Sequence, residues 1–154
     1  MTGCSVPADN RSRSPVSEDD LQFLAAFEQC VLPEDRWTHL AHIRVAWTCL
    51  SIAPPRDALA RIRDGILRFN TNVLHRRHKY HETVTVAFAR IVAARMKPGE
   101  SWNDFADRIE DLLDTVNPVL LKYYSEDRLF SDAARSGFLE PDLEKLPPLA
   151  DQVR

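Results

Sequence analysis

Three of the five histidines lie in two short segments that also carry threonine and aromatic side chains. His39 and His42 stand three residues apart in residues 37–42, and His81 stands in residues 80–83. On one helix, side chains at this spacing are neighbours with Cβ atoms about 5–6 Å apart, which suits chelation. A catalytic zinc or iron site typically needs three protein ligands and an open position. The sequence therefore predicts a divalent metal, zinc, iron or manganese, bound by these histidines.

Glu28 is the predicted fourth member of this site, because it interrupts the apolar stripe of the first helix. Burying an unpaired carboxylate costs several kcal/mol, so its charge must be compensated. A metal would do so. Arg36, Arg135, a protonated histidine or an edge position in contact with water would do so equally well.

Helical phase favours an inward orientation of the histidines. At about 100° per residue, His39 lies roughly 40° from Ile43 and so on the core side, while His42 lies near the edge of the same stripe. His81 stands one turn before Val84 on the apolar face of a later helix. These two helices and the first helix, which carries Glu28, can therefore converge on one internal pocket, as helices do in metal-binding bundles.

The predicted function is that of a divalent-metal-dependent enzyme, a hydrolase or a lyase, acting on a small polar or acidic molecule. Glu82 activates water or moves a proton in this hypothesis, and Tyr124 and Arg135 orient the substrate. The most basic stretch, residues 75–79, is either a lid that attracts a carboxylate or phosphate, or simply a solvated surface.

Two alternatives need no metal. In the first, the histidines are structural and the protein is a non-catalytic helical module, whose basic loop or C-terminal tail binds a protein partner. In the second, the same pocket serves a metal-free small-molecule binder or enzyme. Histidines near helix starts often cap the helix or bond to backbone carbonyls, so the structural alternative is a strong one.

Composition and charge limit the classes of function. The 154 residues fit one domain, and 20 basic against 23 acidic residues give a net charge of −3, which disfavours nucleic-acid binding. No apolar run approaches the roughly 20 residues that cross a bilayer, and residues 1–14 lack the hydrophobic centre of a secretory signal. A cytoplasmic protein with free thiols at Cys4, Cys30 and Cys49 is predicted, and its oligomeric state is left open.

Apolar periodicity predicts the elements that position these residues. The fold class is all-α: a single-domain bundle of about five main helices with short C-terminal helical pieces and an extended tail. Residues 1–16 are predicted as a flexible N-terminal tail, 17–147 as the helical domain and 148–154 as a C-terminal tail. The clearest amphipathic pattern runs from Trp102 to Val116 and predicts a long fifth helix.

Several segments resemble a family of small uncharacterised bacterial proteins with W-T-H-x-A-H and Y-H-E-T motifs. The matching segments are Trp37 to His42, Tyr80 to Thr83, Tyr124-Ser125, Leu129 to Ser131 with Ala134-Arg135, and Pro141 to Leu143 with Leu146-Pro147. The resemblance covers about residues 27–147. It implies that the histidine segments and the Tyr124 to Arg135 segment share one site, and it implies no reaction. In the family a glycine-containing turn often precedes Y-H-E-T, whereas Lys79 stands there in this chain.

Overall fold

The computed structural model of the chain describes residues 15–149. Within that range the ordered elements are all helical and no β-strand occurs, which confirms the prediction of an all-α fold. The predicted tails, 1–16 and 148–154, lie outside the described residues apart from two positions at each inner end. The α-helices are α1 (Glu18–Glu28), α2 (His39–Ile52), α3 (Pro55–Asn72), α4 (Glu82–Arg95), α5 (Trp102–Ala106), α6 (Glu126–Leu129) and α7 (Asp132–Ser136).

Each of the helices that carry the candidate residues begins at a side-chain cap. The Ser17 and Asp20 side chains form a reciprocal capping box at the start of α1, as the sequence predicts. The Thr38 hydroxyl accepts a hydrogen bond from the Ala41 N–H at the start of α2. At the start of α4 the capping residue is His81, whose ring nitrogen accepts from the Val84 N–H. Two of the candidate motifs therefore lie at helix N-termini because they contain the residues that start those helices.

The four long helices pack around an aromatic core. Helix α2 packs against α3 and α4, and α1 lies across α2 and α3. The Phe27 ring stacks on Trp37 at 4.6 Å between centroids and lies 5.5 Å from Phe69. Gly65 permits this approach, because a Cβ at that position would lie 2.6 Å from Cε1 of Phe27. This core fixes the relative positions of α2 and α3, and with them the candidate histidines.

The predicted long fifth helix is broken. Helix α5 ends at Ala106, and a separate 3₁₀ turn occupies Glu110–Leu113. Ile109 and Leu112 are both buried, as the apolar pattern predicts, but the break between them and α5 turns them into the core. Arg108 lies at the break, where it pairs with Glu100 and donates to the Arg95 carbonyl. The apolar pattern therefore predicted most of the buried residues, but Val116 at its end is 84% exposed, and the single long helix was wrong.

The chain after residue 118 is attached to α4 by side-chain hydrogen bonds. The Thr83 hydroxyl donates to the Gly137 carbonyl at 2.9 Å and accepts from the Leu139 N–H at 3.1 Å. Arg90 Nε donates to the Pro147 carbonyl at 2.7 Å. The extended tail is confirmed as non-helical from Gly137 onward, although Leu146 within it is buried. These bonds hold α7 beside the start of α4.

None of the described helices combines the length and apolar character that a membrane span requires.

Candidate functional site

Both ring nitrogens of His81 are occupied. Nδ1 accepts from the Val84 N–H at 3.1 Å, and Nε2 lies 2.8 Å from the Leu129 carbonyl oxygen. A carbonyl can only accept, so Nε2 carries the proton and Nδ1 uses its lone pair in the cap. Burial lowers the pKa of His81, although the Leu129 carbonyl opposes this effect. The neutral ring therefore has no lone pair left for a metal.

His39 and His42 also bond to backbone carbonyls. His39 Nε2 lies 2.8 Å from the Leu112 oxygen, and its ring meets Phe88 edge-on at 5.3 Å. His42 Nδ1 lies 2.7 Å from the Thr38 oxygen, and its ring packs on Trp37 with 3.8 Å between centroids. His39 is the more exposed of the two and His42 is half-buried, which reverses the order that helical phase suggests. Both line a small apolar cavity between α2, α3 and α4.

Glu28 is paired with an arginine. Its two carboxylate oxygens accept from Nε and Nη2 of Arg61 at 2.7 and 2.6 Å, a bidentate geometry. The arginine that compensates this charge comes from α3 and is not Arg36 or Arg135, and the Glu28 side chain is 23% exposed, as expected for an edge position in contact with water. Arg61 was overlooked because the polar side of α3 reads as an ordinary solvated face.

The predicted metal ligands do not converge. Among residues 15–149 no three His, Cys, Asp or Glu side chains form a group that could hold a metal ion. The physical reason is that His81 is fully hydrogen bonded at α4 and Glu28 is bound to α3, so neither side chain joins His39 and His42. What the structure brings together from the predicted set is the pair His39 and His42 at one cavity.

Tyr124 is a structural residue. It is completely buried, and its hydroxyl donates to the Leu139 carbonyl at 2.7 Å. Burial raises the pKa of Tyr124 to about 12, so the phenol stays protonated and keeps this bond. The Tyr124 hydroxyl, which the sequence predicted to contact a substrate, instead bonds the C-terminal tail at Leu139.

The other predicted catalytic residues, Glu82 and Arg135, do share one site. It is an open groove of about 560 Å³ between α3, the loop before α4 and the start of the C-terminal tail, here called the basic groove. The groove is lined by Arg63, Leu67, Arg77, His78, Tyr80, Glu82, Arg135, Ser136, Gly137 and Phe138.

Glu82 and its two partners form one wall of the basic groove. Arg63 Nε lies 2.8 Å from one Glu82 oxygen and forms an ion pair with it, and the Tyr80 hydroxyl donates to the other oxygen at 2.5 Å. Burial, reinforced by the bond to Glu82, raises the pKa of Tyr80 to about 12, so this donor is protonated at neutral pH. Because both carboxylate oxygens are engaged, Glu82 is arranged as a fixed ion-pair partner rather than as a free base.

The guanidinium groups opposite this wall retain free donors. Arg135 Nη1 makes one long bond of 3.4 Å to the His78 carbonyl. Arg77 makes no side-chain hydrogen bond or ion pair within residues 15–149. With Arg63 and Glu82 neutralising each other, Arg77 and Arg135 leave the lining with an excess of two positive charges, in a protein whose net charge is −3. The groove is therefore a basic patch on an acidic molecule.

The sequence singled out Glu82, Arg135 and the basic loop, members of which line this groove, but it gave no role to Arg63. The available signal was its position: Arg63 follows Ile62, which is buried in the core, and so stands at the border of the apolar face of α3. A cation at such a border reaches a neighbouring helix more easily than one on the opposite face.

Comparisons with models of protein families, with curated proteins and with solved structures found no match to this chain. Its function must therefore be inferred from the site itself.

Proposed function

We propose that the protein binds a small organic anion, carrying a carboxylate or a phosphate group, in the basic groove. The observation that carries this proposal is the pair of arginines, Arg77 and Arg135, which face one groove with unused donors. Guanidinium groups present paired N–H donors that match the geometry of carboxylate and phosphate oxygens. A metal has no part in the proposal.

The lining also suits the organic part of such a ligand. Leu67 and Phe138 contribute apolar surface beside the arginines. The Arg90 guanidinium lies 5.6 Å from the centre of the Phe138 ring and helps to hold it. These two side chains can contact the hydrocarbon part of a ligand whose anionic group binds the arginines.

The attachment of the C-terminal segment gives His81 and Thr83 a role in this function. His81 and Thr83 bond the segment at Leu129, Gly137 and Leu139, and Arg135 stands within it. These residues thus position Arg135 without touching the ligand. In the Y-H-E-T segment, Tyr80 and Glu82 line the groove, whereas His81 and Thr83 hold the C-terminal segment that carries Arg135.

The basic groove predicts that Arg77→Gln weakens anion binding by about fivefold. The loss of one partly solvated charge-assisted contact corresponds to about 1 kcal/mol. Calorimetric titration with succinate and, separately, with inorganic phosphate measures this change and also tells which anionic group is preferred. Arg135→Gln is expected to have an effect of similar size.

Arg76→Gln is the matched control. It removes the same charge from the neighbouring exposed position, but Arg76 does not line the groove. We expect its affinity for both anions to stay within about twofold of the wild type, because a solvent-exposed charge outside the groove makes no direct contact with the anion and contributes little. Equal losses in Arg76→Gln and Arg77→Gln would show a diffuse charge effect and would contradict a defined site.

A further inference from the structure

The cavity beside His39 and His42 is separate from the basic groove and shares no lining residue with it. Its volume is about 80 Å³, and most of its wall is aliphatic. A cavity of about 150 Å³ holds benzene, so this one has room for roughly three or four carbon atoms. It is lined by His39, His42, Ile43, Ala46, Ile62, Ile66, Val84, Thr85, Phe88, Ala89 and Val92.

His42 lines this cavity and has one ring nitrogen that is not engaged in a hydrogen bond. Its Nδ1 donates to the Thr38 carbonyl, so in the neutral ring Nε2 bears the lone pair. Burial lowers the pKa of His42 to about 4, with the Thr38 carbonyl opposing and His39 adding to the effect, so the ring is neutral at neutral pH. Within the described part of the chain no hydrogen bond engages Nε2. Packing on Trp37 holds the ring in place.

The rest of the lining decides the charge of the occupant. None of the eleven lining residues is Asp, Glu, Lys or Arg. A charged molecule entering the cavity would lose its hydration without a compensating charge, which is costly. The Thr85 hydroxyl already donates to the His81 carbonyl, and His39 Nε2 already donates to Leu112. The cavity therefore offers a neutral occupant an acceptor and no unused strong donor.

We propose that this cavity is a second binding site, for a small neutral molecule that buries a branched group of three or four carbons and donates an O–H or N–H to His42 Nε2. The site does not depend on the basic groove, because the two share no lining residue. A ligand of this size binds weakly, with a Kd of about a millimolar or above.

A pair of probes with the same carbon skeleton tests the hydrogen bond. 2-Propanol can donate to Nε2, whereas acetone can only accept. Titrations followed by the methyl resonances of Ile62 and Ile66 and by the His42 Nε2 resonance are expected to show saturable binding of 2-propanol, about fivefold tighter than that of acetone. The probe concentrations are kept within the range in which the remaining amide resonances do not shift.

Two variants distinguish this site from the groove and from general solvent effects. His42→Phe keeps an aromatic ring on Trp37 but removes the acceptor, so it should bind both probes equally, as judged from the Ile62 and Ile66 methyl groups. Arg77→Gln should leave binding of 2-propanol unchanged even if it abolishes anion binding. Equal affinity of the wild type for the two probes, or the absence of saturable shifts in the wild type, would overturn the proposal.

Discussion

His81→Ala is expected to lower the free energy of unfolding by about 2–4 kcal/mol. The substitution removes the N-cap of α4 and leaves the carbonyl of the buried Leu129 without its donor. A lost N-cap accounts for about 1 kcal/mol, and an unsatisfied buried carbonyl accounts for about 1–3 kcal/mol. Urea unfolding followed by far-UV circular dichroism measures the change.

His81→Asn separates the two contributions. Asparagine is a good N-cap residue, but its side chain is too short to bond both the Val84 N–H and the Leu129 carbonyl. We expect it to recover about 1 kcal/mol relative to His81→Ala. If His81→Ala were as stable as the wild type, the ring would have no structural role. That result would favour the alternative in which His81 binds a ligand.

Thr83→Val is expected to destabilise the protein by a similar amount, about 2–4 kcal/mol. The two side chains have nearly the same shape, so the variant mainly removes the hydroxyl. Thr83 is completely buried, and its hydroxyl bonds both the Gly137 carbonyl and the Leu139 N–H. Hydrogen exchange of the Leu139 amide should accelerate as well, because that N–H loses its acceptor.

Thr71→Val is the control for the threonine exchange. The Thr71 hydroxyl donates only to the Leu67 carbonyl one turn earlier, at an exposed position of α3. Its replacement should change stability by no more than about 0.5 kcal/mol. Equal effects at positions 71 and 83 would mean that Thr83 does not hold the C-terminal segment. Thr83→Val should also weaken anion binding, because Arg135 lies in the segment that it releases.

The helices were largely predictable because they follow from local pattern and caps. The Ser17 capping box, the start of α4 beside His81 and the apolar face of α3 are all encoded within a few residues of each other. The fifth helix was not predictable in this way. At its break Arg108 contacts Glu100 and the Arg95 carbonyl, and no periodicity in the sequence reveals such contacts between elements.

The candidate site was predictable only in part, for a related reason. Helical phase indicates which side of a helix a histidine occupies, but it does not indicate whether the ring nitrogens are free. His39 bonds a carbonyl 73 residues away and His81 one 48 residues away, so their occupancy depends on the tertiary fold. Arg61 and Arg63 illustrate the converse: both lie on a face that reads as solvated, and both pair with buried or half-buried carboxylates.

Glu82 gives the most direct test of whether the basic groove is an anion site. A catalytic or metal-binding carboxylate would be essential, whereas a carboxylate in the wall of an anion site opposes binding. Glu82→Gln removes one negative charge. Its amide oxygen can accept from Arg63, and its amide N–H can donate to the Tyr80 hydroxyl, which then acts as the acceptor. At a separation of roughly 6 Å and an effective dielectric constant of about 60, that charge corresponds to about 1 kcal/mol, or about fivefold in affinity.

The decisive measurement is calorimetric titration of succinate into the wild type, Glu82→Gln and the control Glu34→Gln, which removes the same charge from the turn before α2. The account predicts saturable binding by the wild type, about fivefold tighter binding by Glu82→Gln, and an affinity within about twofold of the wild type for Glu34→Gln. A wild type without saturable binding, or a Glu82→Gln variant that loses it while remaining folded, would contradict the assignment of the groove.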